Sequence, residues 1–202
     1  MSKRTFFFLV GFLSLALAGS IAAGYWIVSG GRIGGESSTA DLVGGPFTLT
    51  DETGAALSSE DLKGRHMLVF FGYTYCPDVC PTTLTVITQA LDMLDPQVAE
   101  QVEPVFITID PARDTAMALG DYSEHFHDKI HYLTGTPEQI SDVAKAYRVF
   151  FQKVESAEFS DYLMDHSTIT YLMGPDGRYV SHFGFDATPE EIAKDLTKRI
   201  AG

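Results

Sequence analysis

The sequence predicts an α/β sandwich carried behind an apolar leader, on three observations. Met67-Leu-Val-Phe-Phe71 and Val105-Phe-Ile-Thr-Ile109 are continuous apolar runs of strand length, the kind buried on both faces of a parallel sheet. Apolar residues at helical spacing follow the first run, and strands and helices then alternate toward the C-terminus. The chain has 202 residues, 45% apolar and 20% charged, which suits one globular domain plus an appendage. That composition excludes a disordered or collagenous polymer, and no recurring period of repeat length is present.

Each element has a local reason. Phe47-Thr-Leu-Thr50 and Gly54-Ala-Ala-Leu57 read as a short hairpin, and Ser58-x-x-Asp61 with Leu62-Lys-Gly64 as a capped turn. After the strand 67–71, Leu84, Ile87, Leu91 and Leu94 recur at helical spacing, with Pro81 suited to a first helical turn. The strand 105–109 is followed by a helix predicted over 114–127, a short strand 131–133, and a helix 137–147 opened by Thr136-Pro137. Ile169–Met173, the turn Gly174-Pro-Asp-Gly177 and Tyr179–Phe183 form a second hairpin, and Thr188 caps a closing helix over 189–200. This order is that of a thioredoxin-like sandwich with an N-terminal β-hairpin.

Ahead of it, Phe6 to Val28 gives 23 residues without a charge, preceded by Lys3 and Arg4 and closing on Tyr25 and Trp26. As a helix this segment spans about 35 Å, against a hydrocarbon core of about 30 Å. Residues 1–28 are therefore read as a cytoplasmic start and a single transmembrane anchor; a cleaved signal ending at Ala16-Leu17-Ala18 is the alternative. Either way the domain is exported, most simply to a bacterial periplasm from an inner-membrane tether. Residues 29–45 hold six glycines and almost no large apolar side chain, which marks a flexible tether, so the folded unit is 46–202. Fourteen Lys and Arg against 27 Asp and Glu give a net charge of −13, which excludes nucleic acid as partner because its phosphates would be repelled.

The chain has two cysteines, Cys76 and Cys80, between the end of a buried strand and the start of a helix. Helix-start amides are expected to favour the Cys80 thiolate, with Asp78 opposing by like-charge repulsion. A purely structural disulfide across three intervening residues would remove little loop entropy. Three chemical readings remain. A pair of thiolates with one imidazole suits a soft monovalent metal such as Cu(I) in an exchangeable trigonal site. The same pair could shuttle electrons as dithiol and disulfide, although the CxxC of thioredoxin-like catalysts has one residue fewer between its sulfurs. A thiol peroxidase is the third reading, from Cys80-Pro81-Thr82, but the activating threonine would fall at position 77, where Pro77 has no hydroxyl.

Phe71-Gly-Tyr-Thr-Tyr-Cys76-Pro-Asp-Val-Cys80-Pro81, Ile109-Asp110-Pro111-x-Arg113-Asp114-Thr115, Asp165-His166-Ser167 and Gly174-Pro-Asp-Gly177 together resemble the Sco/SenC family of copper-binding, membrane-tethered, thioredoxin-like proteins. The resemblance runs from about Gly45 to the C-terminus. It implies copper, Cu(I) or Cu(II), held by Cys76, Cys80 and His166. It implies as acceptor the Cu(A) centre in subunit II of cytochrome c oxidase, reached by a metallochaperone rather than a turnover enzyme. The family's DPxRDTP pattern departs at Ala116, a helix-start position away from the ligands. The alternative within the family is a thiol-disulfide reductase that keeps the acceptor's cysteines reduced, with Cys76 and Cys80 as its redox pair.

The remaining candidates are weighed on their residues. His166 precedes a strand, in the loop that lies against the thiols of thioredoxin-like folds, where Ser167 and Thr168 replace the usual cis-proline of thiol-disulfide enzymes. His125, His127 and His131 read as an exposed helix end favouring the dipole; His66 and His182 flank strands. Asp110 is expected to cap the following helix while Arg113 pairs a nearby carboxylate. Asp78 is expected to stabilise the cysteine loop by accepting backbone hydrogens, Asp165 to bear on the His166 tautomer, and Met164 to pack.

Overall fold

Met67–Phe71 becomes an interior strand of a mixed sheet in the computed structural model, which describes residues 42–155 and 161–201. The sheet has seven strands in the order β2-β1-β5-β4-β3-β8-β9. They are β1 (Thr48–Asp51), β2 (Ala56–Ser58), β3 (His66–Gly72), β4 (Val102–Thr108), β5 (His131–Thr134), β8 (Thr170–Met173) and β9 (Tyr179–Phe183). β3, β4 and β5 are parallel to one another, with Val69 opposite Val105 and Phe106 opposite Tyr132. β8 adds antiparallel to β3 and β9 to β8, while the expected N-terminal hairpin β1–β2 adds antiparallel to β5.

Every residue of β4 is buried, as are Met67 to Gly72, which requires cover on both faces of the sheet. The helices are α1 (Val79–Asp92), α2 (Pro96–Ala99), α3 (Ala116–Ser123), α4 (Pro137–Ala146) and α5 (Pro189–Ile200). α1 buries Leu84, Ile87 and Leu91 and packs beside α5, which buries Ile192, Ala193 and Leu196. Thr136 with Gln139, and Thr188 with Glu191, close capping boxes over a first-turn proline, so α4 and α5 start where their sequences direct. Phe106 sits between Phe70, Tyr122 and Tyr132, with ring centroids 5.5–6.1 Å apart. These rings join the three parallel strands to the helix that carries Tyr122.

Two features depart from the sequence expectation. The helix expected over 114–127 spans only Ala116–Ser123, because Thr115 is its cap and Asp114 is bound elsewhere. A second sheet of two strands, β6 (Phe151–Val154) and β7 (Leu163–His166), pairs antiparallel with Phe151 opposite His166. Arg148, with φ of 59°, ends α4 in a left-handed turn that sends the chain into β6. The proposed anchor 6–28 and the tether up to Asp41 lie outside the described residues; among those described, no helix is long and apolar enough to cross a membrane.

Phe106→Ala should lower stability by about 3–5 kcal/mol, since its neighbours belong to rigid strands that cannot close the cavity. Thr188→Ala should cost only about 1 kcal/mol. Urea unfolding checks both, as shifts of midpoint at unchanged slope.

Candidate metal centre

The cysteines are placed by the passage from β3 into α1. Gly72 ends β3, and the chain turns so that Cys76 lies in the connecting loop and Cys80 in the first turn of α1. A Cβ at position 72 would come 2.8 Å from Cys80 Sγ and 2.8 Å from Phe106 Cε2, so the Cys80 thiol occupies space that only glycine leaves open. Cys80 is fully buried; Cys76 is half-buried, and neither is in a disulfide.

The two thiols are electrostatically unequal, in the opposite sense to the sequence expectation. The helix-start amide of Cys80 donates to Cys76 Sγ at 3.4 Å, so the helix favours charge on Cys76 rather than on Cys80. Donation from the Cys80 thiol, against the cost of burial and aided by the amides of Asp78 and Cys80, holds Cys76 down at about 4. The Cys80 thiol is pushed up by the same hydrogen bond, then by burial and the Cys76 charge. Asp78 contributes through its backbone. As the N-cap residue of α1 its side chain caps nothing, accepting only from Thr82 Oγ1 at 3.4 Å, so the expected carboxylate brace is absent.

His166 comes from β7, 86 residues from Cys80, and its Nε2 lies 3.5 Å from Cys80 Sγ. Its Nδ1 is 2.9 Å from the Ser167 carbonyl oxygen, a contact that requires an N–H, which leaves Nε2 facing the sulfurs. The expected influence of Asp165 on the tautomer is therefore taken by Ser167. Phe70 and Tyr73 flank the imidazole, Tyr73 edge-on at 5.9 Å between centroids. Among the described residues, Cys76, Cys80 and His166 form the group placed to hold a metal ion, with one ligand atom from each lying within 4.8 Å of the others. Two sulfurs and one imidazole nitrogen, partly shielded from water, are a soft, low-coordinate donor set.

Supporting contacts tie the two ligand-bearing segments together. Tyr73 Oη accepts from the Met164 amide at 3.2 Å, joining the cysteine loop to β7, while Met164 itself is buried as packing. Asp114 is fully buried and accepts from Thr74 N, Thr74 Oγ1 and Thr108 Oγ1 at 2.5–3.1 Å, pinning the loop to the end of β4. Burial pushes its carboxyl up, against the hydrogen bonds from Thr108 and Thr74. Asp110 does not cap a helix as expected; its carboxylate accepts from Arg113 Nε at 2.5 Å and from Tyr162 Oη at 2.9 Å. Sequence reasoning gave Tyr73 and Asp114 no role, since an isolated Tyr or Asp carries no signal of a partner 40 to 91 residues away.

The other histidines are not assembled into a site among the described residues. α3 stops at Ser123, so His125 and His127 follow the helix rather than sit on its last turn. His127 Nδ1 accepts from the Lys129 amide at 3.0 Å, and His131 binds buried Glu103 at 2.6 Å. His182 Nδ1 meets Tyr179 Oη at 2.6 Å.

Residues 35–201 match the SCO1/SenC family. The SCO2-like protein of Rickettsia conorii is 43% identical over 155 residues, covering 76% of this chain and 75% of its own. The structure of ScoI from Bradyrhizobium japonicum with copper bound aligns with a TM-score of 0.71 at 45% identity, over 77% of this chain and 98% of that one. That of BsSco, described as having a disulfide switch and as a member of the Sco family of cytochrome c oxidase assembly proteins, aligns with a TM-score of 0.60 at 25% identity, over 79% and 94%. With the matched region spanning the whole thioredoxin-like domain, the chain belongs to the SCO1/SenC family.

Proposed function

We propose that this chain is a copper chaperone: Cys76, Cys80 and His166 bind copper and deliver it to the Cu(A) site in subunit II of cytochrome c oxidase. Residues 1–28 anchor it in a bacterial inner membrane and residues 29–45 are the tether that lets the domain 46–202 reach its acceptor on the periplasmic face. The observation that carries the reading is the convergence of two sulfurs and Nε2 within 4.8 Å. The copper-bound ScoI relative supports the choice of metal. The donor set also fits it, because two thiolates and an imidazole satisfy Cu(I) at a coordination number low enough for an incoming thiolate to add before an old ligand leaves.

The unequal thiols give that exchange an order. Cys76, half-buried and ionised, is the sulfur an acceptor can reach, whereas fully buried Cys80 holds the metal until last. A thiol-disulfide reductase that keeps the acceptor's cysteines reduced is the second reading. It is favoured by the same low-lying Cys76 thiol and by the disulfide switch of BsSco. Reduction of an acceptor disulfide would proceed by attack of Cys76 Sγ, forming a mixed disulfide. Cys80 Sγ would then displace it, leaving Cys76–Cys80 oxidised and the acceptor as dithiol.

The reduced protein should bind one copper with sulfur and nitrogen coordination, seen by X-ray absorption. His166→Ala should weaken binding by more than about tenfold at unchanged fold, since losing a direct ligand costs at least as much as the roughly 10–100-fold lost with an outer-sphere partner, and Cys76→Ser should abolish it. Full affinity in His166→Ala would remove that residue from the site; turnover against the acceptor's disulfide, independent of His166, would favour the reductase. The metal-free protein should also show a pH signature. A thiol of pKa 9.0 when unfolded and about 4 when folded contributes stability fully above pH 9, and that contribution is lost as pH falls toward 4. Urea midpoints of wild type minus Cys76→Ser, measured across that window, should rise with pH; a flat difference would contradict a Cys76 thiolate.

A further inference from the structure

From a third segment, Arg113 touches both ligand-bearing segments without being a candidate ligand. It lies in the β4–α3 connection, and its side chain is 12% exposed. Nε donates to Asp110 Oδ2 at 2.5 Å, and Nη1 donates to the Tyr162 carbonyl oxygen at 2.9 Å. The guanidinium carbon stands 3.7 Å from the ring centroid of Tyr162, 4.7 Å from that of Tyr75 and 5.8 Å from that of Tyr73. Tyr73 and Tyr75 belong to the loop that presents Cys76, and Tyr162 leads directly into the strand that presents His166. Tyr162 is held in turn by its hydroxyl on Asp110.

A planar cation between aromatic rings is attracted to the faces of both while its N–H groups hydrogen-bond at its edge. An ion pair with Asp110 alone would need only a point charge. The additional stacking, and the bond to a backbone carbonyl four residues before His166, account for a guanidinium here. We infer that Arg113 is a positioning residue for His166: it clamps the cysteine loop to the entrance of β7 and so sets the gap between the thiols and Nε2. The inference rests on the copper-binding reading of Cys76, Cys80 and His166. It makes Lys a non-conservative replacement, because an ammonium keeps the charge and the reach to Asp110 but has no plane to stack.

The test uses the full chain kept in detergent, as wild type, Arg113→Lys, His166→Ala and the Arg113→Lys/His166→Ala double variant. Loaded with Cu(II), wild type should show nitrogen superhyperfine coupling by electron paramagnetic resonance. Arg113→Lys should keep its fold by circular dichroism and its sulfur charge-transfer band, yet lose the nitrogen coupling and bind copper as weakly as His166→Ala. The double variant should be no weaker than His166→Ala alone. Nitrogen coupling and affinity unchanged in Arg113→Lys would overturn the inference.

A metal-free readout separates this from the copper reading. The nuclear Overhauser contact between the His166 and Tyr73 rings should be present in wild type and lost in Arg113→Lys; its persistence would overturn the inference whatever the metal data. Absent nitrogen coupling in wild type would instead sink His166 as a ligand. Should Arg113→Lys not fold, Tyr75→Leu, at a ring 59% exposed, keeps the question open to measurement. It should weaken both signals in the same direction, and unchanged signals there would overturn the clamp.

Discussion

The close approach of the Cys80 thiol to the backbone of Gly72 is the constraint on which the site depends. A helix that enters directly from a buried parallel strand can place a side chain of its first turn against the strand's end only where the strand offers no Cβ. That contact buries Cys80 completely, keeps its proton on sulfur and makes it a donor to Cys76. The burial of one thiol thus produces the ionisation of the other. The hydrogen bond from the Cys80 thiol, the deeper burial of Cys80 and the helix-start amides at Cys76 together make the pair chemically asymmetric.

Around that contact the fold supplies three independent fastenings. Asp114 ties Thr74 to the end of β4, Tyr73 ties the loop to the Met164 amide, and Arg113 with Asp110 ties the aromatic rim to Tyr162. Each spans segments far apart in the chain, so each orders backbone that would otherwise be a loop over the sheet edge. The site is consequently built from irregular chain held by rigid strands, with its donor geometry set before any ligand arrives.

What could be read from the sequence follows the range of the forces involved. The buried runs 67–71 and 105–109, the capped helices at Thr136 and Thr188 and both hairpins are local patterns, and each became the expected element. The cysteine pair and His166 were legible as candidates from residue type and from resemblance to the family motifs, and the fold brings them together. The ribbon β6–β7 was not legible, because four-residue strands with half-exposed faces leave no periodicity. Local pattern points to a cap at Asp110 because its partner Tyr162 lies 52 residues on, and it points to the wrong thiolate because the amide of residue 80 serves the sulfur of residue 76.

His166 resides on a ribbon of four residue pairs that, among the described residues, shares no hydrogen-bonded ladder with the main sheet. A two-stranded unit of that size frays at a free energy well below that of global unfolding. The third donor can therefore be withdrawn by a local excursion while the sulfurs, held between an interior strand and the helix that follows it, stay in register. The protein's grip on its cargo thus has a built-in weak hinge, on the side contributed by the imidazole.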